Sequence, residues 1–133
     1  MNNNKIHSSS QTGDKKLEWV RSYMPALTSV RDRFIEEKPF KGLRITMSIH
    51  LEAKTAYLAT VLRSGGAEVS VTGCNPLSTQ DDVADSLRAM GFEVHARYDA
   101  TPEEYVGHLK SALSINPHLI IDDGGDLIEL LHG

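Results

Sequence analysis

The chain has 133 residues, with 14 Lys plus Arg against 18 Asp plus Glu and a formal charge of −4. That length suits one domain or part of one, and the mild acidic excess without a Lys/Arg block speaks against nucleic acid or an anionic membrane, both of which need clustered positive charge. No apolar stretch approaches the roughly 20 residues of a membrane span. Cys74 is the single cysteine, which excludes an internal disulfide and a zinc cluster built of cysteines and suits a reducing, cytoplasmic compartment.

Residues 1–14 are Asn- and Ser-rich without an apolar centre, and are expected to be a disordered tail rather than a signal peptide. Leu17, Val20, Met24, Leu27 and Phe34 then recur at helical spacing, predicting a surface helix over 15–38 that Pro25 kinks or divides. From Gly42 the pattern changes. Short apolar runs over 43–47, 68–71, 93–96 and 118–121 read as strands, with starts about 25 residues apart. Between them lie helical stripes: Leu51, Thr55, Leu58 and Leu62; Val83, Leu87 and Met90; Val106, Leu109 and Leu113. Ser78 with Asp81, and Thr101-Pro102-Glu103-Glu104, read as helix-start signals that satisfy free amides. Gly65-Gly66 and Gly91 read as helix ends. The repeated strand-helix unit predicts an α/β chain: a Rossmann-like, three-layer parallel sheet of at least four βα units, preceded by an N-terminal helical segment.

Ligands in such folds bind beyond the carboxyl ends of the strands. Three polar segments fall there: Ser48 to Lys54 after the first strand, Gly73 to Asp81 after the second, and Asp122-Asp123-Gly124-Gly125-Asp126 after the fourth. They offer an imidazole, carboxylates, an ammonium and hydroxyls, which suit a polar small molecule, with His50 and Asp123 able to exchange protons. Each also has a plainer reading. His50 stands where a helix-start partner would, Glu52 is favoured by the helix dipole, Lys54 reads equally as an exposed lysine, and Ser78 reads as a cap. Cys74 has no electropositive neighbour in sequence and reads as a packing residue. The acidic run resists dismissal, because two carboxylates and two glycines combine charge with a closely approachable backbone. Magnesium is one partner for it; a response-regulator phosphoacceptor is disfavoured, since that acidic pair follows the first strand. No Gly-x-Gly-x-x-Gly dinucleotide fingerprint occurs.

Read together, the loops resemble one family, adenosylhomocysteinase or S-adenosylhomocysteine hydrolase. The resemblance rests on Met47-Ser48-Ile49-His50-Leu51-Glu52-Ala53-Lys54-Thr55-Ala56, on Cys74-Asn75-Pro76-Leu77-Ser78-Thr79-Gln80-Asp81-Asp82-Val83-Ala84, and on Ile121-Asp122-Asp123-Gly124-Gly125-Asp126-Leu127. Trp19-Val20-Arg21-Ser22-Tyr23-Met24-Pro25 also resembles the family's start. Glu52 and Lys54 resemble the prokaryotic branch, since eukaryotic members carry Thr at the first position and Glu or Gln at the second. The resemblance implies reversible cleavage of S-adenosylhomocysteine to adenosine and L-homocysteine, through NAD-dependent oxidation of the ribose 3′-hydroxyl, elimination and water addition. It implies proton transfer near the 5′ carbon by His50 and Asp123, and substrate contacts from Glu52, Lys54, Ser78 and Asp123, the first two at the adenine end. It also implies a homotetramer for the complete enzyme. The chain is then expected to supply the N-terminal part of the substrate-binding domain over 15–133, with neither NAD-binding nor metal-binding residues, and to be inactive alone as a fragment of the enzyme. The other reading is a stand-alone nucleoside-binding module without catalysis.

Overall fold

Each apolar run becomes a strand, and each stripe that follows becomes a helix. The computed structural model describes residues 3–132, in the order α1 (Asn3–Tyr23), α2 (Pro25–Glu37), β1 (Arg44–Ile49), α3 (Ala53–Ser64), β2 (Glu68–Gly73), α4 (Asp81–Ala89), β3 (Glu93–His95), α5 (Pro102–Leu113), β4 (Leu119–Asp122) and α6 (Asp126–His132). Among the described residues, no helix is long and apolar enough to cross a membrane.

Pro25 divides the N-terminal segment rather than kinking it: α1 ends at Tyr23 and Pro25 opens α2, where its missing amide costs no helical bond. At the other boundaries, Gly66 (φ +97°) and Gly91 (φ +92°) take the left-handed turn that frees the chain to re-enter the sheet. The Thr101 capping box forms as its sequence predicts, with Thr101 Oγ1 accepting from the Glu104 amide and Glu104 accepting from the Thr101 amide.

All four strands are parallel, in the order β3-β2-β1-β4. The chain steps outward from β1 to β3 and then crosses back to place β4 on the other side of β1. Right-handed crossovers put α3 and α4 on one face and α5 on the other. The packing agrees, with α3 against α4, and α5 against β1, β2 and β3. Successive residues of β1 serve the two layers. Ile45 and Met47 are buried on one side, while buried Thr46 turns to the other and donates to the Ala112 carbonyl of α5 at 2.9 Å. Strand order reverses beside β1, so the crevice expected of this architecture opens beyond the ends of β1 and β4.

One expectation is corrected here. Residues 3–14, read as part of a disordered tail, are helical and continue α1, which packs on α4; residues 1 and 2 lie outside those described. Leu17 and Val20 of α1 join the same buried core as Val83, Ala84 and Leu87 of α4, and toward the N-terminal part of α1 the contact turns polar and close. A Cβ at Gly13 would collide with the Asp82 carbonyl oxygen and the Ser86 Cβ, so glycine lets the two helices approach. Asp14 meets the Ser86 hydroxyl, and Lys16 pairs with Asp82 at 2.7 Å. Composition shows the apolar stripe from Leu17 onward but not the close glycine and polar contacts that precede it.

Candidate active site

Three backbone hydrogen bonds draw the loops to the end of β1. The Asp123 amide donates to the Ser48 carbonyl at 3.0 Å, the Cys74 amide to Ile49 at 3.3 Å, and the Gln80 amide to Leu51 at 3.0 Å. Between the loops lies a cleft of about 820 Å³, within the range of small-molecule sites. His50, Glu52, Lys54, Ser78 and Asp123 all line it. Residues far apart in sequence thus share one cavity because the strand order brings their loops to one edge.

His50 Nδ1 lies 2.7 Å from the Ser78 hydroxyl, which lies 3.0 Å from the Asn75 carbonyl. The network assigns the tautomer: with the serine hydrogen donated to that carbonyl, a proton on His50 Nδ1 completes the pair and leaves the Nε2 lone pair for other work. Ser78 is therefore not the helix cap its sequence suggests. It sits in a single 3₁₀ turn, Pro76–Ser78, and α4 starts at Asp81 after Gln80, which makes no side-chain capping bond. The 3₁₀ turn is tied down by Asn75, whose side chain accepts from the Leu77 amide at 2.9 Å.

Glu52 caps α3: its Oε1 accepts from the Thr55 amide at 3.1 Å while the carboxylate also borders the cleft. The acidic pair at the end of β4 divides its labour. Asp122 accepts from the amides of Gly125, Leu127 and Ile128 at 3.0, 3.0 and 3.2 Å, so it builds the turn into α6. Asp123 is exposed and lines the cleft. With Asp122 engaged by three amides, the run is a capped turn rather than the paired carboxylates of a magnesium site.

Cys74 Sγ lies 3.6 Å from His50 Nδ1, a neighbour that the sequence alone does not reveal. Burial pushes its thiol pKa up, and the negative charge of Asp123 pushes it further, so the thiolate is disfavoured. Behind it, the Tyr105 hydroxyl lies 2.6 Å from an Asp126 carboxylate oxygen and 3.0 Å from the Cys74 carbonyl. Burial, followed by the hydrogen bond to Asp126, holds the Tyr105 phenol far above its ordinary range.

Ile49 and Leu77, inside the first two loop segments, add apolar surface to the cleft, and Tyr98 joins them from outside all three segments. Tyr98 is 54% exposed, and its amide donates to Asp81 Oδ1 at 2.9 Å. It follows β3, so it too stands beyond the carboxyl end of a strand of the same sheet. Its position at a strand end is the signal in the sequence that marks it.

NAD does not fit the described residues. A pyrophosphate needs free amides at a helix start, and α3 has the Glu52 carboxylate there. The first turn of α4 carries Asp81 and Asp82, that of α5 Glu103 and Glu104, and Asp122 occupies the amides that open α6.

A family model described as S-adenosyl-L-homocysteine hydrolase matches residues 4–133. The S-inosyl-L-homocysteine hydrolases of Methanocaldococcus jannaschii and Methanococcus maripaludis are 54% and 51% identical over 120 and 132 residues, 90% and 99% of this chain and 29% and 32% of theirs. The adenosylhomocysteinase of Archaeoglobus fulgidus is 48% identical over 121 residues, 91% of this chain and 30% of its own. The chain thus spans about a third or less of the length of these relatives.

Proposed function

The chain belongs to the S-adenosyl-L-homocysteine hydrolase family, and on that premise we propose that its cleft holds the nucleoside half of S-adenosyl-L-homocysteine at the site where it is reversibly converted to adenosine and L-homocysteine. The observation that carries this reading is the convergence of His50, Asp123, Glu52, Lys54 and Ser78 on one open cleft of about 820 Å³, which has room for a nucleoside. Departure of homocysteine from the 5′ carbon needs a proton delivered to sulfur, and addition of water there needs one removed. The free Nε2 of His50 and the carboxylate of Asp123 serve those transfers, and Ser78 positions the imidazole through Nδ1. Glu52 accepts and Lys54 donates at the polar edge of the purine, while Tyr98 offers a ring face to it. Hydride chemistry with NAD, which the family resemblance implies for the complete enzyme, has no fitting residues among those described, and no step through it is assigned to this chain.

The purine edge admits a second reading, S-inosyl-L-homocysteine, favoured by the names of the relatives at 54% and 51% identity. Adenine offers an amino donor beside a nitrogen acceptor, and hypoxanthine an N–H donor beside an oxygen acceptor. A carboxylate and an ammonium match either. We further propose residues 15–133 as the N-terminal part of a substrate-binding domain, a cytoplasmic setting, and a homotetramer for the complete enzyme.

Calorimetry with adenosine and with inosine tests the cleft. Binding of at least one is expected, weakened in His50→Ala; no heat from either would sink the reading. Incubating the chain with S-adenosyl-L-homocysteine and NAD should release no homocysteine, and clear turnover would show that the 133 residues suffice.

A further inference from the structure

We propose that His50, Cys74 and Asp123 form a site for a borderline-soft divalent cation of the Zn²⁺ class at the junction of the three loops. Their ligand atoms all lie within 4.8 Å of one another. Cys74 Sγ stands 3.6 Å from His50 Nδ1. Zinc bonds of about 2.3 Å to sulfur and about 2.0 Å to nitrogen, set at the tetrahedral angle, place the two donors roughly 3.5 Å apart. These two are therefore at ligating separation before any ion arrives, and the bond to sulfur forms as the thiol proton is released to solvent, so that binding strengthens as pH rises. Asp123 is exposed, so its carboxylate can swing onto the same point at little cost, and the fourth position is left to solvent or a ligand in the cleft.

The donor set decides the class of ion. Sulfur and imidazole nitrogen with a single carboxylate favour Zn²⁺, Co²⁺ or Cu²⁺ over Mg²⁺ and Ca²⁺, which need several oxygens. A single cysteine excludes a cluster built of cysteines and leaves this mixed set open. The backbone supports it: the Cys74 and Asp123 amides are both bonded to carbonyls at the end of β1, next to His50. Ser78 is the competitor, because it now holds Nδ1 at 2.7 Å. The inference stands apart from the proposed reaction, although a bound cation would withdraw His50 and Asp123 from proton transfer.

The test is a titration of the whole chain with Zn²⁺ by calorimetry, and with Co²⁺ followed by its thiolate-to-metal absorption. One ion per chain and a Co²⁺ thiolate band are expected. Cys74→Ser should abolish the band, and Cys74→Ser and His50→Gln should each weaken Zn²⁺ by at least about 10-fold. Ser78→Ala, which removes the competitor, should bind at least as tightly as the parent. His50 is exposed, so His50→Gln keeps the test decisive should the Cys74 variant misfold. Absence of the band in the parent chain, or unchanged Zn²⁺ affinity in both ligand variants, would overturn the site.

Discussion

The cleft has two walls that are held in different ways. His50, Glu52, Lys54 and Ser78 stand beyond β1 and β2, whose interior residues are buried throughout. Asp123 stands beyond β4, an edge strand with no fully buried residue, followed by a helix whose Ile128 and Leu131 are about half exposed. On the first wall, packing of apolar side chains fixes the strand ends. On the second, directional bonds do that work: three amides on Asp122, the Asp123 amide on Ser48, and the Tyr105 hydroxyl on Asp126. The proposed proton-transfer pair therefore straddles a packed wall and a hydrogen-bonded one, and changes to one wall should not register alike on the other.

The largest effect should come from the packed wall. Met47 is fully buried at the centre of β1, and Met47→Ala should lower global stability by about 2–5 kcal/mol in urea unfolding. A loss confined to one end of the molecule would mean that β1 is not the common support. Next comes Asp122→Ala, which strips three amides of their acceptor and should cost about 1–3 kcal/mol, felt locally. Hydrogen exchange should quicken at Gly125, Leu127 and Ile128 while the β1 amides keep their protection. Equal acceleration at β1 would erase the distinction between the walls. The smallest effect crosses the gap. Because the Asp123 charge raises the Cys74 pKa, Asp123→Asn should lower it and speed thiol modification at a fixed mildly alkaline pH. The gain should be modest, since burial is the larger cause of the shift and survives the substitution. Modification of the parent chain should be slow at neutral pH and accelerate as pH rises past the ordinary thiol range.

Much of the fold is legible in the sequence because its signals are local. A helical stripe, a proline at the first helical position and a capping box each act within a few residues, and Pro25 and Thr101 do what their types imply. The failures are of another kind. Ser78 precedes an acidic residue at capping distance, yet its hydroxyl faces His50, 28 residues away in sequence. Gly13 looks like a residue of a flexible tail until the backbone of α4 is set beside it. Within the site, the two loops that carry His50 and Asp123 could be chosen by the strand-end rule, but the split between Asp122 as turn builder and Asp123 as cleft residue depends on where amides point. Side-chain type alone does not distinguish two adjacent aspartates.

The carboxylate of Glu52 at the start of α3 has a bearing on what the cleft turns away. In many α/β proteins that position attracts phosphate, because helix amides and the dipole together favour an anion. Here the anion is built in, and Asp123 adds a second negative group across the opening. On the proposed reading the purine lies against Glu52 and a 5′ phosphate would fall by Asp123, whose exposed carboxylate opposes a second anion, whereas an uncharged ribose meets no such opposition. On that reading, the built-in carboxylates keep anions from both ends of the cleft, Glu52 by filling the helix start and Asp123 by its charge at the 5′ end.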